Sequence, residues 1–359
     1  MPISPDAVRA ALNAFQDPLI GRRLIAAGAV KSVEVKAGRA YAHIELGFPA
    51  AGYRAELAER IEKHLHDATG VEGRVQIDWK IASHAVQKNL QPLPEIRNII
   101  AVASGKGGVG KSTVAANLAL ALATLRPRIG LMDADVYGPS IPLMLGIRER
   151  ARATEGRRLE PAVAHGLRVM SMGMFVGEST PIVWRGPMLT KLITEFLRNC
   201  DWGELDLLVV DLPPGTGDVQ LTLTQQLPLS GGIIVTTPQP VALADVRRGI
   251  QMFAQVHAPV LGLIENMSWH VCPGCGARAD LFGHGGGAAL ARECGIPLLG
   301  EVPLVRALRE AADTGTPLVA AAPSHPQSRA FREIAERVLV QLAQAERRAP
   351  RAPQLSVLP

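Results

Sequence analysis

The chain has 359 residues, 47% of them apolar and 20% charged, which is long enough for two domains and too apolar for a disordered protein. Its net charge of +5 is small, and a good share of the arginines crowd "ERRAPRAPQ" near the end, so a dedicated nucleic-acid binder is not expected. "MPISPDAVRAAL" lacks the basic-then-apolar order of a secretory leader, no apolar run approaches the ~18 residues of a membrane span, and four cysteines with one close pair make no disulfide framework; a cytoplasmic protein is the expectation, with no membrane partner.

In chain order, residues 1–85 read as a small α+β domain. Ser4 as N-cap and Pro5 at the first helical position predict a helix. "AVKSVEVKAGRAYAHIEL" predicts two strands joined at "KAGR"; "YRAELAERIEKHLHDATG" places Leu57, Ile61 and Leu65 at helical spacing and stops at Gly70; "RVQIDWKI" returns as a strand. A polar, proline-punctuated linker is expected over 86–97. From 98 to 345 the pattern changes. "RNIIAVAS", "RIGLMDAD", "LRVMSMG", "LDLLVVDLPP", "GGIIVTTP" and "VLGLIENMS" are short, nearly continuous apolar runs, and helical patterns such as "STVAANLALALATL" lie between them. Strands buried on both faces and joined by helical crossovers predict an α/β doubly wound, mostly parallel sheet with its site at the carboxyl ends of the strands. The stripe Phe331, Ile334, Val338 and Leu342 of the last helix should dock on that sheet, and 346–359 reads as a disordered tail.

"GKGGVGKS", from Gly105 to Ser112, fits G-x-x-x-x-G-K-[ST] with a strand before it and a helix after it. Its glycines let the backbone turn so that successive N–H groups, aided by the helix N-terminus, face phosphate oxygens. The nucleotide-binding set is therefore Gly105, Lys106, Gly107, Gly108, Val109, Gly110, Lys111, Ser112 and Thr113. Lys111 is expected on the β- and γ-phosphates of ATP, the Ser112 hydroxyl on Mg²⁺, and Thr113 near the α-phosphate. Asp211 ends the apolar run of "LLVVDLPPGTGD" as a Walker B carboxylate does, reaching Mg²⁺ through water, and "PPGTG" after it looks like a γ-phosphate switch.

Lys106 needs a further reason, since an ordinary P-loop has no use for a cation one residue after its first glycine. "GKGGVGKS" resembles the deviant Walker A ATPases, whose additional signature lysine, after the first glycine, reaches across a nucleotide-bound dimer; the resemblance implies a homodimer in which Lys106 acts in trans. By the same resemblance Asp135 in "LMDADVYGPS" orients the attacking water, Asp133 supports the magnesium shell, and Asn266 reads adenine with its amide. "GKGGVGKST", "DADVYGPS", "WRGPM", "DLPPGTGD" and "ENMSWHVCPGCGARADLFGHGGG" occur in the order found in the Mrp/ApbC group of iron–sulfur cluster carrier ATPases, over roughly residues 95–340. The first 85 residues resemble the iron–sulfur assembly domain often fused ahead of it. Departures are Leu19 where that domain has an acidic residue, no cysteine near "GFPAAGY", and Pro240 where the ATPase often carries an acid. The resemblance implies an ATPase that carries a [4Fe–4S] cluster to apo iron–sulfur proteins, with a scaffold as the donor. A positioning ATPase of the MinD/ParA kind with a structural zinc site is the rival.

Cys272 and Cys275 in "WHVCPGCGAR" supply only half of the four ligands a zinc ion or an iron–sulfur cluster takes. Three readings stand: two subunits share one bridging [4Fe–4S] cluster, His270 and His284 complete a zinc site within one chain, or the pair is redox-active or a simple turn. The two-fold dimer implied by Lys106 favours the first, because the axis doubles two ligands to four. Cys200 and Cys294 read as packed thiols.

Overall fold

The computed structural model describes residues 4–17, 22–25, 28–50, 53–81, 83, 90–125, 127–136, 138–154, 158–175 and 186–348. Leu19, the linker residues 84–89, Trp184 and Arg185 of "WRGPM", and the tail from 349 onward lie outside the described residues. Contacts divide the chain into two units, Met1–Ala82 with Leu339–Gln344, and Ser83–Val338 with Ala345–Pro359.

The small unit opens with α1 (Pro5–Ala14), whose N-cap Ser4 accepts a hydrogen bond from the Ala7 amide through its side chain at 3.2 Å. β1 (Val30–Lys36) and β2 (Arg39–Leu46) pair antiparallel through a turn in which Ala37 and Gly38 both have positive φ, 49° and 73°, as a tight hairpin requires. α2 (Arg54–Thr69) buries Leu57, Ile61 and Leu65 and ends at Gly70, φ +71°. The crossover delivers β3 (Gly73–Trp79) parallel to β2. Alternating burial along β2 turns Ala40, Ala42, Ile44 and Leu46 inward. A Cβ on Gly47 would sit 2.8 Å from that of Ala343, so the end of the last helix approaches this unit's backbone where only glycine fits.

In the large unit β4 (Ile99–Ala103) leads to α3 (Lys111–Thr124), β5 (Ile129–Asp133) and the short α4 (Ile141–Met144). The edge pair β6 (Ala162–Ala164) and β7 (Leu167–Ser171) follows, then α5 (Gly186–Arg198), β8 (Leu207–Asp211) and α6 (Asp218–Gln226). β9 (Gly231–Thr236), α7 (Pro240–Gln255) and β10 (Val260–Asn266) precede a hairpin of β11 (His270–Val271) and β12 (Arg278–Ala279). The chain ends with α8 (Gly286–Glu293), β13 (Leu298–Val302), α9 (Arg306–Asp313), α10 (Leu318–Ala321) and α11 (Pro326–Arg348). Among the described residues one eight-stranded sheet forms in the order β6-β7-β5-β8-β4-β9-β10-β13, parallel except for β6.

The apolar runs are these strands, and the expected fold is the observed one. β4, β5 and β8 are buried at every position. α3 is buried at every position from Val114 to Leu122: Leu118, Leu120 and Leu122 are each at most 3% exposed, and such burial contributes roughly 1.5–3 kcal/mol per side chain. Gly232 faces Phe253 of α7 so closely that a Cβ would lie 2.3 Å from the ring. Pro240 opens α7 at its first turn, where a fixed φ and a missing N–H cost nothing, which accounts for a proline there. Ile334 of α11 packs on Gly300 of β13, and Arg337 donates to the Leu299 carbonyl at 2.9 Å, so this part of the helix docks on the sheet as expected; Leu342 groups instead with the small unit. Among the described residues no helix is long and apolar enough to cross a membrane. From β4 the chain crosses to β5 on one side, and β9 lies on the other, so the carboxyl end of β4 is the crevice where such sheets place a ligand.

Candidate nucleotide site and cysteine hairpin

The loop from Gly105 to Gly110 fills that crevice. Gly108 and Gly110 have φ of +81° and +80°, a region L side chains rarely adopt. Gly105 is required for another reason, because a Cβ there would fall 2.3 Å from the Cβ of Asp245. Ser104 Oγ donates to the Lys106 carbonyl at 3.0 Å, and α3 starts at Lys111 with its first N–H groups directed back into the loop. A cleft of about 200 Å³ remains, lined by Lys106, Lys111, Ser112 and Thr113 from the loop and by Asp135 and Pro214 beyond the ends of β5 and β8. The Lys106 side chain is exposed.

Asp211 at the end of β8 is fully buried, and Nζ of Lys111, a side chain 5% exposed, lies 2.6 Å from its Oδ1 and 3.3 Å from Ser112 Oγ. Burial pushes the Asp211 carboxyl above the usual carboxylate range, while the Lys111 ammonium and the Ser112 hydroxyl pull it down. Its Oδ2 has no hydrogen-bond partner among the described residues. An orphaned carboxylate oxygen beside a serine hydroxyl is the hard-oxygen donor set that Mg²⁺ takes, so the residues present fit that ion.

The other two carboxylates divide their work. Asp135 lines the cleft and accepts the Gly138 amide at 3.3 Å. Asp133 does not line it. Fully buried, it accepts the Asp135 amide on Oδ1 at 3.1 Å, and the Ile141 amide and the Ser171 hydroxyl on Oδ2 at 3.2 and 2.9 Å. Burial, and after it the charge of Asp211, pushes its carboxyl up to about 7. Asn266 ends β10 with its Nδ2 donating to the Val109 carbonyl at 2.8 Å, and a Cβ on Gly110 would strike that same nitrogen at 2.3 Å. The asparagine thus braces the back of the loop, leaving Oδ1 and a second N–H for any contact with a base.

Three supporting residues escaped the sequence reading. Ser171 sits opposite Asp133 in register. Gln220 in α6 donates to the Pro213 carbonyl at 3.1 Å and steadies the "PPGTG" turn. Glu265, fully buried, accepts the Gly287 amide at 2.5 Å at the start of α8. Only Glu265 left a sequence signal, an acid inside an apolar run.

Cys272 and Cys275 stand on the hairpin of β11 and β12. The Cys272 amide donates to the Ala277 carbonyl at 2.9 Å and the Gly276 amide to the Cys272 carbonyl at 2.8 Å, with Gly276 at φ +71°. Backbone N–H groups of Cys275 and Gly274, then the Cys275 thiol, hydrogen-bond the Cys272 sulfur and hold its thiol below the usual range. Cys275 is exposed and Cys272 half-buried. The neighbouring histidines are engaged elsewhere: His270 Nδ1 lies 3.0 Å from the Leu304 carbonyl, and His284 Nδ1 lies 3.1 Å from Arg278 Nη2. Arg278 also stacks 4.6 Å over the Trp269 ring. Among the described residues no three His, Cys, Asp or Glu side chains come together as a metal ion would require. Cys200 is a packed thiol, buried and pushed up to about 12 by that burial, and Cys294 is partly buried.

A phosphate loop between a buried central strand and helix, with carboxylates beyond the neighbouring strand ends, is the site of a P-loop NTPase. Residues 95–339 match the family model described as NUBPL iron-transfer P-loop NTPase, and residues 5–78 match that of the iron–sulfur cluster assembly protein domain. The chain belongs to the NUBPL iron-transfer P-loop NTPase family. It is 42% identical over 352 residues to the iron–sulfur cluster carrier protein of Synechocystis, covering 96% of this chain and 99% of that one. A nucleotide-binding protein of Archaeoglobus fulgidus, solved in complex with ADP, is 40% identical at a TM-score of 0.58, covering 65% of this chain and 90% of that one. The Pyrococcus furiosus cell division ATPase MinD, at 21% identity, a TM-score of 0.52 and 67% and 98% coverage, shares the fold.

Proposed function

We propose that this chain is a cytoplasmic, ATP-hydrolysing carrier that holds a [4Fe–4S] cluster between two copies of itself and passes it to apo iron–sulfur proteins, receiving it from a scaffold donor. The observation that carries this is the cysteine hairpin. It presents two thiols, one already lowered toward thiolate, with no third ligand beside them among the described residues. A four-thiolate cluster therefore takes a second hairpin, and a two-fold axis supplies it. Val271 and Leu281, which flank the pair in sequence, are 44% and 59% exposed, apolar surface that a second copy would cover. A cluster on a subunit boundary is accessible and labile, as cargo must be.

For ATP, the loop amides and Lys111 bind the β- and γ-phosphates. Ser112 and Asp211 would hold Mg²⁺, which neutralises charge on the phosphate oxygens. Asp135 orients water toward the γ-phosphorus, so that the bond to the β,γ-bridging oxygen breaks and ADP and phosphate leave. Lys106, exposed at the mouth of the cleft, serves the partner's phosphates as an arginine finger does. The Asn266 amide is assigned to adenine through its remaining polar atoms. The division into a small domain over 1–85, a linker over 86–97 and an ATPase over 98–345 is part of the same proposal.

The test is anaerobic reconstitution with iron and sulfide, read by metal content and subunit mass. Saturation near four iron and four sulfide per dimer is expected. Cys272→Ala or Cys275→Ala should abolish it while nucleotide still binds, and His270→Ala and His284→Ala should matter little. One colourless zinc per monomer, lost with either histidine, would overturn the carrier reading.

A further inference from the structure

Asp133 and Ser171 carry more structure than a magnesium shell calls for. Asp133 ends β5 and Ser171 ends the adjacent parallel β7, directly opposite in register. Both side chains are completely buried. The carboxylate receives three protein donors: the amide of Asp135 on one oxygen, the amide of Ile141 and the hydroxyl of Ser171 on the other. Ser171 Oγ in turn accepts the Gly173 amide at 3.0 Å, which fixes where its own proton points. One buried group thus grips both ends of the segment 134–141, whose residues Asp135 and Ser140 line the phosphate cleft. The geometry turns Asp133 into the loop, away from the cleft.

We infer that Asp133 and Ser171 form a positioning pair for the hydrolytic step, setting the angle at which Asp135 faces the water, and that neither touches nucleotide or metal. This rests on the reading of Asp135 as the water-orienting carboxylate. Four lone-pair sites on a carboxylate, two of them occupied by amides of the segment and one by the Ser171 hydroxyl, explain why an acid and not an amide stands at 133: an asparagine offers one acceptor oxygen and would set its NH₂ against one of those donors. Removing the Ser171 hydroxyl loosens the carboxylate and the loop together, and a charge-assisted hydrogen bond of this kind is worth about tenfold or more in an equilibrium.

Full-length Ser171→Ala and the isosteric Asp133→Asn are the variants, and three readings are taken on each with the parent chain alongside. The turnover number should fall about tenfold or more at saturating ATP and magnesium, while the dissociation constant of a fluorescent ATP analogue and the magnesium concentration for half-maximal rate stay within twofold of the parent. Amide exchange across 134–141 should accelerate. A several-fold rise in the magnesium requirement would overturn the proposal by putting Asp133 on the metal, and so would an unchanged turnover number or unchanged exchange. A parent chain that binds the analogue but never turns over refutes the hydrolysis reading alone, and the exchange measurement then still decides whether the pair holds the loop.

Discussion

Lys111→Ala is usually read as a loss of nucleotide chemistry, but the structure makes it first a loss of stability. The Lys111 ammonium is 2.6 Å from Asp211 Oδ1, the lysine side chain 5% exposed and the aspartate not at all. The other oxygen, Oδ2, has no partner among the described residues. Truncating the lysine leaves an uncompensated buried carboxylate, and breaking such a pair costs about 3–5 kcal/mol, or roughly 6–20 °C in midpoint for a unit of this size. Urea denaturation without nucleotide, followed by circular dichroism and by the fluorescence of the buried Trp202, reads the loss directly. Adding Asp211→Asn should recover most of it, since a neutral amide is far cheaper to bury. The pH dependence has a definite sign. Burial already holds Asp211 above the usual range against the pull of Lys111. With the ammonium gone, the folded state holds its proton more tightly than the unfolded chain, so stability falls as pH rises above the unfolded value of about 3.9. The deficit against the parent should therefore shrink on going from about pH 8 to about pH 5. A Lys111→Ala chain within about 1 kcal/mol of the parent at neutral pH, or a double variant no more stable than the single one, would refute the reasoning.

Two further predictions concern the loop and the hairpin. Lys106→Ala should bind ATP with parental affinity and lose hydrolysis; mixed with an Asp135→Ala chain it should regain part of that activity, and turnover unaffected by Lys106→Ala alone would remove the role in trans. Cys272 should be alkylated faster at neutral pH than a free thiol of pKa about 8.5, because the Cys275 and Gly274 amides stabilise its thiolate, with Cys200 unreactive; mass spectrometry of a short iodoacetamide pulse tests it, and a Cys272 rate at or below the free thiol would contradict the hydrogen bonding around its sulfur.

What could be read from the sequence was whatever is encoded locally. The apolar runs became the buried strands, Ser4 became the cap of α1, and the backbone of "GKGGVGKS" turns as expected, at Gly108 and Gly110 through positive φ. The parts that stayed hidden depend on residues far apart in the chain. Ser171 looks like one polar letter in "LRVMSMG", and its pairing with Asp133 spans 38 positions. Asn266 reaches a carbonyl 157 positions away, so its bracing of Val109 has no local signature. His270 and His284 stand at a spacing that matches no common zinc pattern, and spacing says nothing of the Leu304 carbonyl and the Arg278 guanidinium that engage them. The stripe of the last helix was periodic throughout, and periodicity alone could not say that Leu342 would group with the first domain.

That helix bears on the order in which the molecule is made. The small unit comprises Met1–Ala82 together with Leu339–Gln344, and the tight approach of Ala343 to Gly47 belongs to it. A ribosome therefore delivers the first part of this unit, then residues 83–338, and only afterwards the segment that completes it. At about 5–20 residues per second the N-terminal part waits roughly 10–50 s for its last piece. The small unit is thus split in time as well as in sequence, and its two pieces can close on each other only after most of the large unit has been made.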